Sequence, residues 1–143
     1  PVCSSAASDV YKRQKLAWRQ VSNHPGLGIK NKRGIPDCPE RVHWEEEFAL
    51  RVGGPGAYDY GPERNSWLTH QVTNWMGDDG FLAKAKCQVR RHNPEGDVVL
   101  IDGVVAGKWA EDGKYFVEIS QRAVNQDDEL SAMGSAVVEL PKR

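Results

Sequence analysis

Tyr58–Gly80 reads YDYGPERNSWLTHQVTNWMGDDG, and both ends of a helix are marked within it. Gly61 suits the cap, and Pro62 suits the first helical position, where a missing N–H costs nothing. Glu63 places a negative charge in the first turn, where the helix dipole favours it. Leu68, Val72, Trp75 and Met76 then recur at helical spacing, with Trp67 widening the stripe, so the helix is expected to be buried. Gly77, followed by Asp78-Asp79-Gly80, stops it and turns the chain.

Beyond Phe81 the hydrophobic period changes from helical spacing to two. Leu82–His92 sets Ala83, Ala85, Cys87 and Val89 against Lys84, Lys86, Gln88 and Arg90, the alternation of a strand. Asn93–Asp97 is a turn, and Val98–Trp109 a second strand closed by the hairpin turn Glu111-Asp112-Gly113. Tyr115–Val124 and Leu130–Leu140 complete the set, with Asn125–Glu129 turning between them and Pro141 ending the last. Turns at such regular spacing imply an antiparallel meander, and a long helix followed by a meander is α+β.

Upstream, Asp37–Gly53 reads as a turn into a short helix. Trp44, Phe48 and Val52 repeat every four residues, and Glu45, Glu46 and Glu47 lie near its start. Lys15–Pro36 is polar, Gly-rich and basic, and reads as linker or loop apart from a short helical face at Trp18 and Val21. Pro1–Gln14 has neither the charged nor the apolar region of a signal peptide. Within it DVYKRQ, Asp9–Gln14, resembles the translation of a sequencing adaptor. That tail is set aside as non-native, and residues 37–143 are expected to form one domain, as the C-terminal part of a longer protein.

Composition excludes several classes of function. Nineteen Lys and Arg balance twenty Asp and Glu in 143 residues, for a net charge of −1, so a general nucleic-acid footprint is not supported. No apolar run is long enough to span a bilayer. Cys3, Cys38 and Cys87 lack metal-ligand spacing and fit a reducing compartment, hence a cytoplasmic protein. No phosphate-cradling loop or nucleophile elbow is present.

Two segments carry a resemblance to a known family. Arg41–Ala49, RVHWEEEFA, is similar to the P-x-H-x-D-x-x-F-A pattern of the MaoC-like acyl dehydratases, the (R)-specific enoyl-CoA hydratase group. Gly134–Pro141, GSAVVELP, is similar to that family's closing strand, and Glu95-Gly96-Asp97-Val98 resembles its turn into a strand. The resemblance covers roughly residues 37–141. It implies a hot-dog fold, an antiparallel sheet wrapped around one long central helix. It also implies reversible addition of water across the C2=C3 bond of an enoyl thioester, with coenzyme A as part of the substrate and no separate cofactor. Such chemistry needs a carboxylate and a histidine to hold the water, and backbone N–H groups at a helix N-terminus to meet charge on the thioester carbonyl.

On this resemblance His43 is the catalytic histidine and Glu45 the acid that follows it. The family pattern D-x-x-x-x-H would put its carboxylate at position 38, where this chain has Cys38. Asp37 lies one residue further away and takes the role only with a bulge in the loop; its alternative is a turn or capping residue. Glu40 is a weaker substitute. The N–H of Gly61 is the candidate oxyanion donor, because Pro62 has none. Asp59 and Tyr60 lead into the helix start, where Asp59 either caps the helix or binds substrate. Arg64 either contacts a coenzyme A phosphate or pairs with an acid such as Asp59 or Asp78. His70 is expected in the core, as are Trp67 and Trp75. Arg90, Arg91 and His92 read as a solvated strand end. The fold implies a homodimer or pairing with another hot-dog domain. A catalytically silent partner domain and a hot-dog thioesterase are the rival readings.

Overall fold

A computed structural model describes residues 15, 19, 22–24 and 28–142. The tail at 1–14 and the helical face expected at Trp18 and Val21 lie outside the described residues. The chain separates into two compact units that join along the backbone between Tyr58 and Asp59.

The N-terminal unit begins with a short antiparallel pair, β1 (Ile29–Lys30) and β2 (Pro36–Asp37), inside the stretch expected to be loop. The turn Asn31–Gly34 closes it, with Asn31 Oδ1 accepting from the N–H groups of Arg33 and Ile35. A 3-10 turn, Arg41–His43, precedes the short helix α1 (Glu46–Arg51). The expected helix is therefore broken at Trp44. Ala49 is its fully buried residue, while Val52 is left exposed. Glu46 and Glu47 do occupy the first turn.

The C-terminal unit holds α2 (Gly61–Met76) and four strands: β3 (Phe81–Val89), β4 (Leu100–Glu111), β5 (Lys114–Val124) and β6 (Leu130–Leu140). Tyr60 caps α2, so Gly61 is its first residue and Pro62 its second, one place later than the sequence suggested. Gly77 ends the helix at φ 71°, a conformation that favours glycine.

The sheet order is β3-β6-β5-β4, all antiparallel. The meander expectation holds for β4, β5 and β6 and fails for β3, which pairs with β6 at the opposite edge from β4. Asp112 and Gly113, both at positive φ, form the tight turn between β4 and β5, matching the right-handed twist of the flanking strands. This architecture is the α+β arrangement expected from the sequence, one long helix against an antiparallel sheet.

The core lies between α2 and one face of the sheet. Val72 packs with Val117, Ile119, Ala136 and Val138, while Leu68 packs with Ala123 and Ala132. Register explains the alternation, because Val117, Ile119, Gln121 and Ala123 on β5 stand opposite Val138, Ala136, Gly134 and Ala132 on β6. Gln121 is the polar exception in this row. It is buried between Gly103 on β4 and Gly134 on β6, and its amide donates to the Leu68 carbonyl at 2.7 Å and to Gln71 Oε1 at 2.8 Å.

Three core expectations are corrected. His70 is exposed, because two residues along a helix from Leu68 turn about 200° away from the buried stripe. Trp75 is 47% exposed, and it is its neighbour Met76 that packs against the core in that turn. Ala83, Ala85 and Val89 on β3 are exposed as well; of that expected face Cys87 alone turns inward, joined by Leu82, which a shift in register between Leu82 and Lys84 brings to the packed side.

Candidate functional site

In the N-terminal unit, the residues singled out from the sequence follow β2 and the 3-10 turn. Asp37 ends β2 and is buried. Its Oδ1 accepts the N–H of Cys38 at 2.9 Å, and its Oδ2 accepts from Asn31 Nδ2 at 3.4 Å. Cys38 is buried too, and its carbonyl accepts from Trp44 Nε1 at 2.9 Å. Burial first, and then a hydrogen bond with Glu40, push the Cys38 thiol up from its ordinary 9.0 to about 11. A thiol that weakly acidic stays protonated near neutrality and cannot stand in for a carboxylate base.

His43 closes the 3-10 turn and is half-buried. Its Nδ1 lies 2.9 Å from the Tyr58 carbonyl oxygen, and the two rings meet edge to face with centroids 4.9 Å apart. A carbonyl only accepts, so Nδ1 carries the proton and donates it. In its neutral form the ring is thereby held as the Nδ1–H tautomer. The Tyr58 N–H in turn donates to the Val42 carbonyl at 3.2 Å, fixing the acceptor that orients the ring. Glu45 is committed elsewhere: Arg41 grips it through Nε at 2.6 Å and Nη2 at 2.8 Å. That fork holds the Glu45 carboxyl below its ordinary range.

In the C-terminal unit, the candidates surround the start of α2. Gly61 heads the helix, Pro62 has no N–H, and the Glu63 N–H donates to the Tyr60 carbonyl at 2.8 Å. Asp59 and Arg64 form a buried ion pair, Arg64 being 1% exposed. Arg64 Nε donates to Asp59 Oδ2 at 2.5 Å, and Nη2 donates to Oδ1. Nη1 donates to the carbonyls of Arg91 and Ser131, the latter at 3.3 Å. Asp59 also accepts from the backbone N–H of Asn93 at 3.2 Å and from Asn93 Nδ2 at 3.1 Å. The Asp59 N–H closes the loop by donating to the Asn93 carbonyl at 3.0 Å. Arg64 thus pairs with an acid, as one of its two readings expected, whereas Asp59 does not cap α2, whose cap is Tyr60 with no side-chain hydrogen bond.

Asn93 reads from the sequence only as a turn residue. No periodicity marks it, because its role rests on contacts 34 residues away in the chain. A signal does exist for Arg64. It stands four residues before Leu68 on the buried stripe, a place where a charge needs a nearby partner. Arg90, Arg91 and His92 are exposed as expected, and Arg91 pairs with Glu129.

A cleft of about 840 Å³ opens at the other end of α2, lined by Trp75, Met76, Asp78, Tyr115 and Leu140 among others. It lies ~22 Å along the helix from Gly61, and so is separate from the helix start. Among the described residues no group of three His, Cys, Asp or Glu side chains is arranged to hold a metal ion. No described helix is long and apolar enough to cross a membrane.

No protein-family model matches the chain, and no curated protein matches its sequence. Solved structures do match its fold. The (R)-hydratase from A. caviae involved in PHA biosynthesis superposes with a TM-score of 0.63 at 19% identity, over 71% of this chain and 76% of that one. The MaoC-like dehydratase from Rhodospirillum rubrum gives 0.64 at 16% identity, over 73% and 76%. The ChsH1-ChsH2 complex from Mycobacterium tuberculosis gives 0.63 at 12% identity, over 90% and 88%. The chain has the hot-dog fold, in the form seen in MaoC-like dehydratases and (R)-hydratases.

Proposed function

We propose that this protein is a MaoC-like hydro-lyase that hydrates or dehydrates an acyl thioester across the C2=C3 bond of an enoyl-CoA. The observation that carries the reading is His43, whose ring is fixed by its Nδ1–H on the Tyr58 carbonyl. An imidazole fixed in one tautomer suits a reversible proton transfer. The fold likeness to (R)-hydratases supports the same class.

In hydration, the water oxygen bonds to C3 as its proton passes to one member of the Asp37–His43 pair. The C2=C3 electron pair shifts toward the thioester carbonyl, giving an enolate-like oxygen. The Gly61 N–H, heading α2, is the donor assigned to that charge, and the helix dipole adds to it. C2 then takes a proton from the other member of the pair. Dehydration runs the same steps backward. Coenzyme A enters as part of the substrate, and the scheme calls for no other cofactor.

Pairing with a second hot-dog domain, of the same or another chain, belongs to this reading. Among the described residues the sheet ends at β3 and β4, which carry exposed Phe81, Val89, Val104 and Val105. Conversion of a trans-2-enoyl thioester, followed by loss of the enoyl absorbance, tests the activity. Asp37→Asn and His43→Ala are each expected to lower kcat by about 10²–10⁴-fold. Full activity in His43→Ala would refute the site.

A further inference from the structure

We propose that Arg64 is a positioning residue, the clamp that holds the first turn of α2 and the Gly61 N–H in place. The inference rests on the hydratase reading, since it concerns the groups assigned there to the thioester oxygen. Three observations meet at this side chain. It is 1% exposed and sits in the helix's own first turn, three residues after Gly61. Its fork is divided between two targets: Nε and Nη2 hold Asp59, just before the cap Tyr60, while Nη1 reaches the carbonyls of Arg91, past the end of β3, and Ser131, on β6. Asp59 then carries the tie onward to Asn93 through three hydrogen bonds, two accepted by its carboxylate and one donated by its N–H.

The chain entering α2, the helix itself and two points beside the sheet are therefore fixed by one guanidinium. Its planarity matters, because two directions of donation from one rigid group set an angle as well as a distance. A helix end is where backbone bonding is weakest, and here the Glu63 N–H holds only the carbonyl of the cap residue Tyr60. An oxyanion donor works only when it is aimed before the charge develops. Arg64 supplies that aim from within the protein without touching substrate.

The test compares Arg64→Met, Arg64→Lys, Asp59→Asn and, as a control for lost packing alone, Val72→Ala. In the hydration assay, Arg64→Met is expected to lower kcat by about 10²-fold, the scale of one misplaced oxyanion donor, with little change in KM. Arg64→Lys keeps the charge but loses the fork, and should fall between. Val72→Ala should lose stability while keeping kcat.

Amide hydrogen exchange gives a readout independent of turnover. Arg64→Met is expected to speed exchange at Asp59, Glu63 and Asn93 by about tenfold or more, leaving Val117 and Ile119 on β5 unchanged. Unchanged exchange at the helix start, a loss spread evenly over the sheet, or a wild-type kcat in folded Arg64→Met would overturn the clamp. If Arg64→Met does not fold, Arg64→Lys and Asp59→Asn give the same readouts, and the same results support or overturn the clamp. If the wild-type protein hydrates nothing, the hydratase reading falls while the exchange result still decides the clamp.

Discussion

Gly134 is the position where the closeness of helix and sheet can be tested most sharply. It sits on β6 opposite Gln121 of β5 and Cys87 of β3, beneath Leu68 of α2. A methyl group placed there would lie 2.5 Å from the Lys86 carbonyl oxygen and 3.0 Å from Leu68 Cδ1. The first neighbour is backbone on a paired strand, so no rotamer change can relieve it. Overpacking of this kind costs about 1–3 kcal/mol, and a clash with backbone belongs at the upper end. Removing glycine from a strand returns about 0.5–1 kcal/mol, which leaves Gly134→Ala destabilised by about 2 kcal/mol. At about 4 °C per kcal/mol for a chain this size, Tm should drop by about 8 °C. Gly107 on β4 is the matched control, where the nearest contact would be the Glu118 side chain at 3.8 Å. Gly107→Ala should leave Tm unchanged or raise it by a few degrees, on the order of 4 °C at most. Calorimetry on the two variants reads the difference directly. If Gly134→Ala melts with Gly107→Ala, the close approach of β6 to β3 and to Leu68 is wrong.

Two further outcomes follow from the core and from Cys38. Val72 is fully buried among Val117, Ile119, Ala136 and Val138, and Val72→Ala should cost about 2–3 kcal/mol through lost burial and the cavity left behind. Chemical denaturation should show this as a lower midpoint with an unchanged slope. Cys38 has its pKa raised on folding from 9.0 to about 11, so the fold favours the protonated thiol. That stability is fully present below about pH 9 and is lost as pH rises through about 11. Tm should therefore fall across that window more steeply in wild type than in Cys38→Ser, and parallel curves would contradict the assignment.

Much of the fold was legible because local signals and tertiary needs agreed. The span of β6, Leu130–Leu140, was marked by its alternation and by Pro141, and the structure gives the same limits. Pro62, Glu63 and Gly77 announced α2 to within a residue. Pairing order was not legible, since nothing in the alternation of β3 says that it joins β6 instead of β4. Composition likewise overstated the core. Spacing places Trp75 on the buried stripe, but Met76 packs against the core there while Trp75 is half exposed and lines the cleft with Tyr115 and Leu140. At the candidate site, His43 was visible by its place in a motif, whereas its hold on the Tyr58 carbonyl needed the fold. The Asp59–Arg64 pair was foreseen as one of two readings, but Asn93 and the carbonyls of Arg91 and Ser131 come from distant chain and could not be.

The central claim is that this chain moves water on and off an enoyl thioester through His43. Purified protein offered a short trans-2-enoyl-CoA, followed at once for enoyl absorbance and for free thiol, tests it most directly. The account predicts loss of the enoyl signal without thiol release, abolished in a His43→Ala variant that keeps the wild-type melting profile. Thiol release in place of enoyl loss, or equal enoyl loss in His43→Ala, would contradict it.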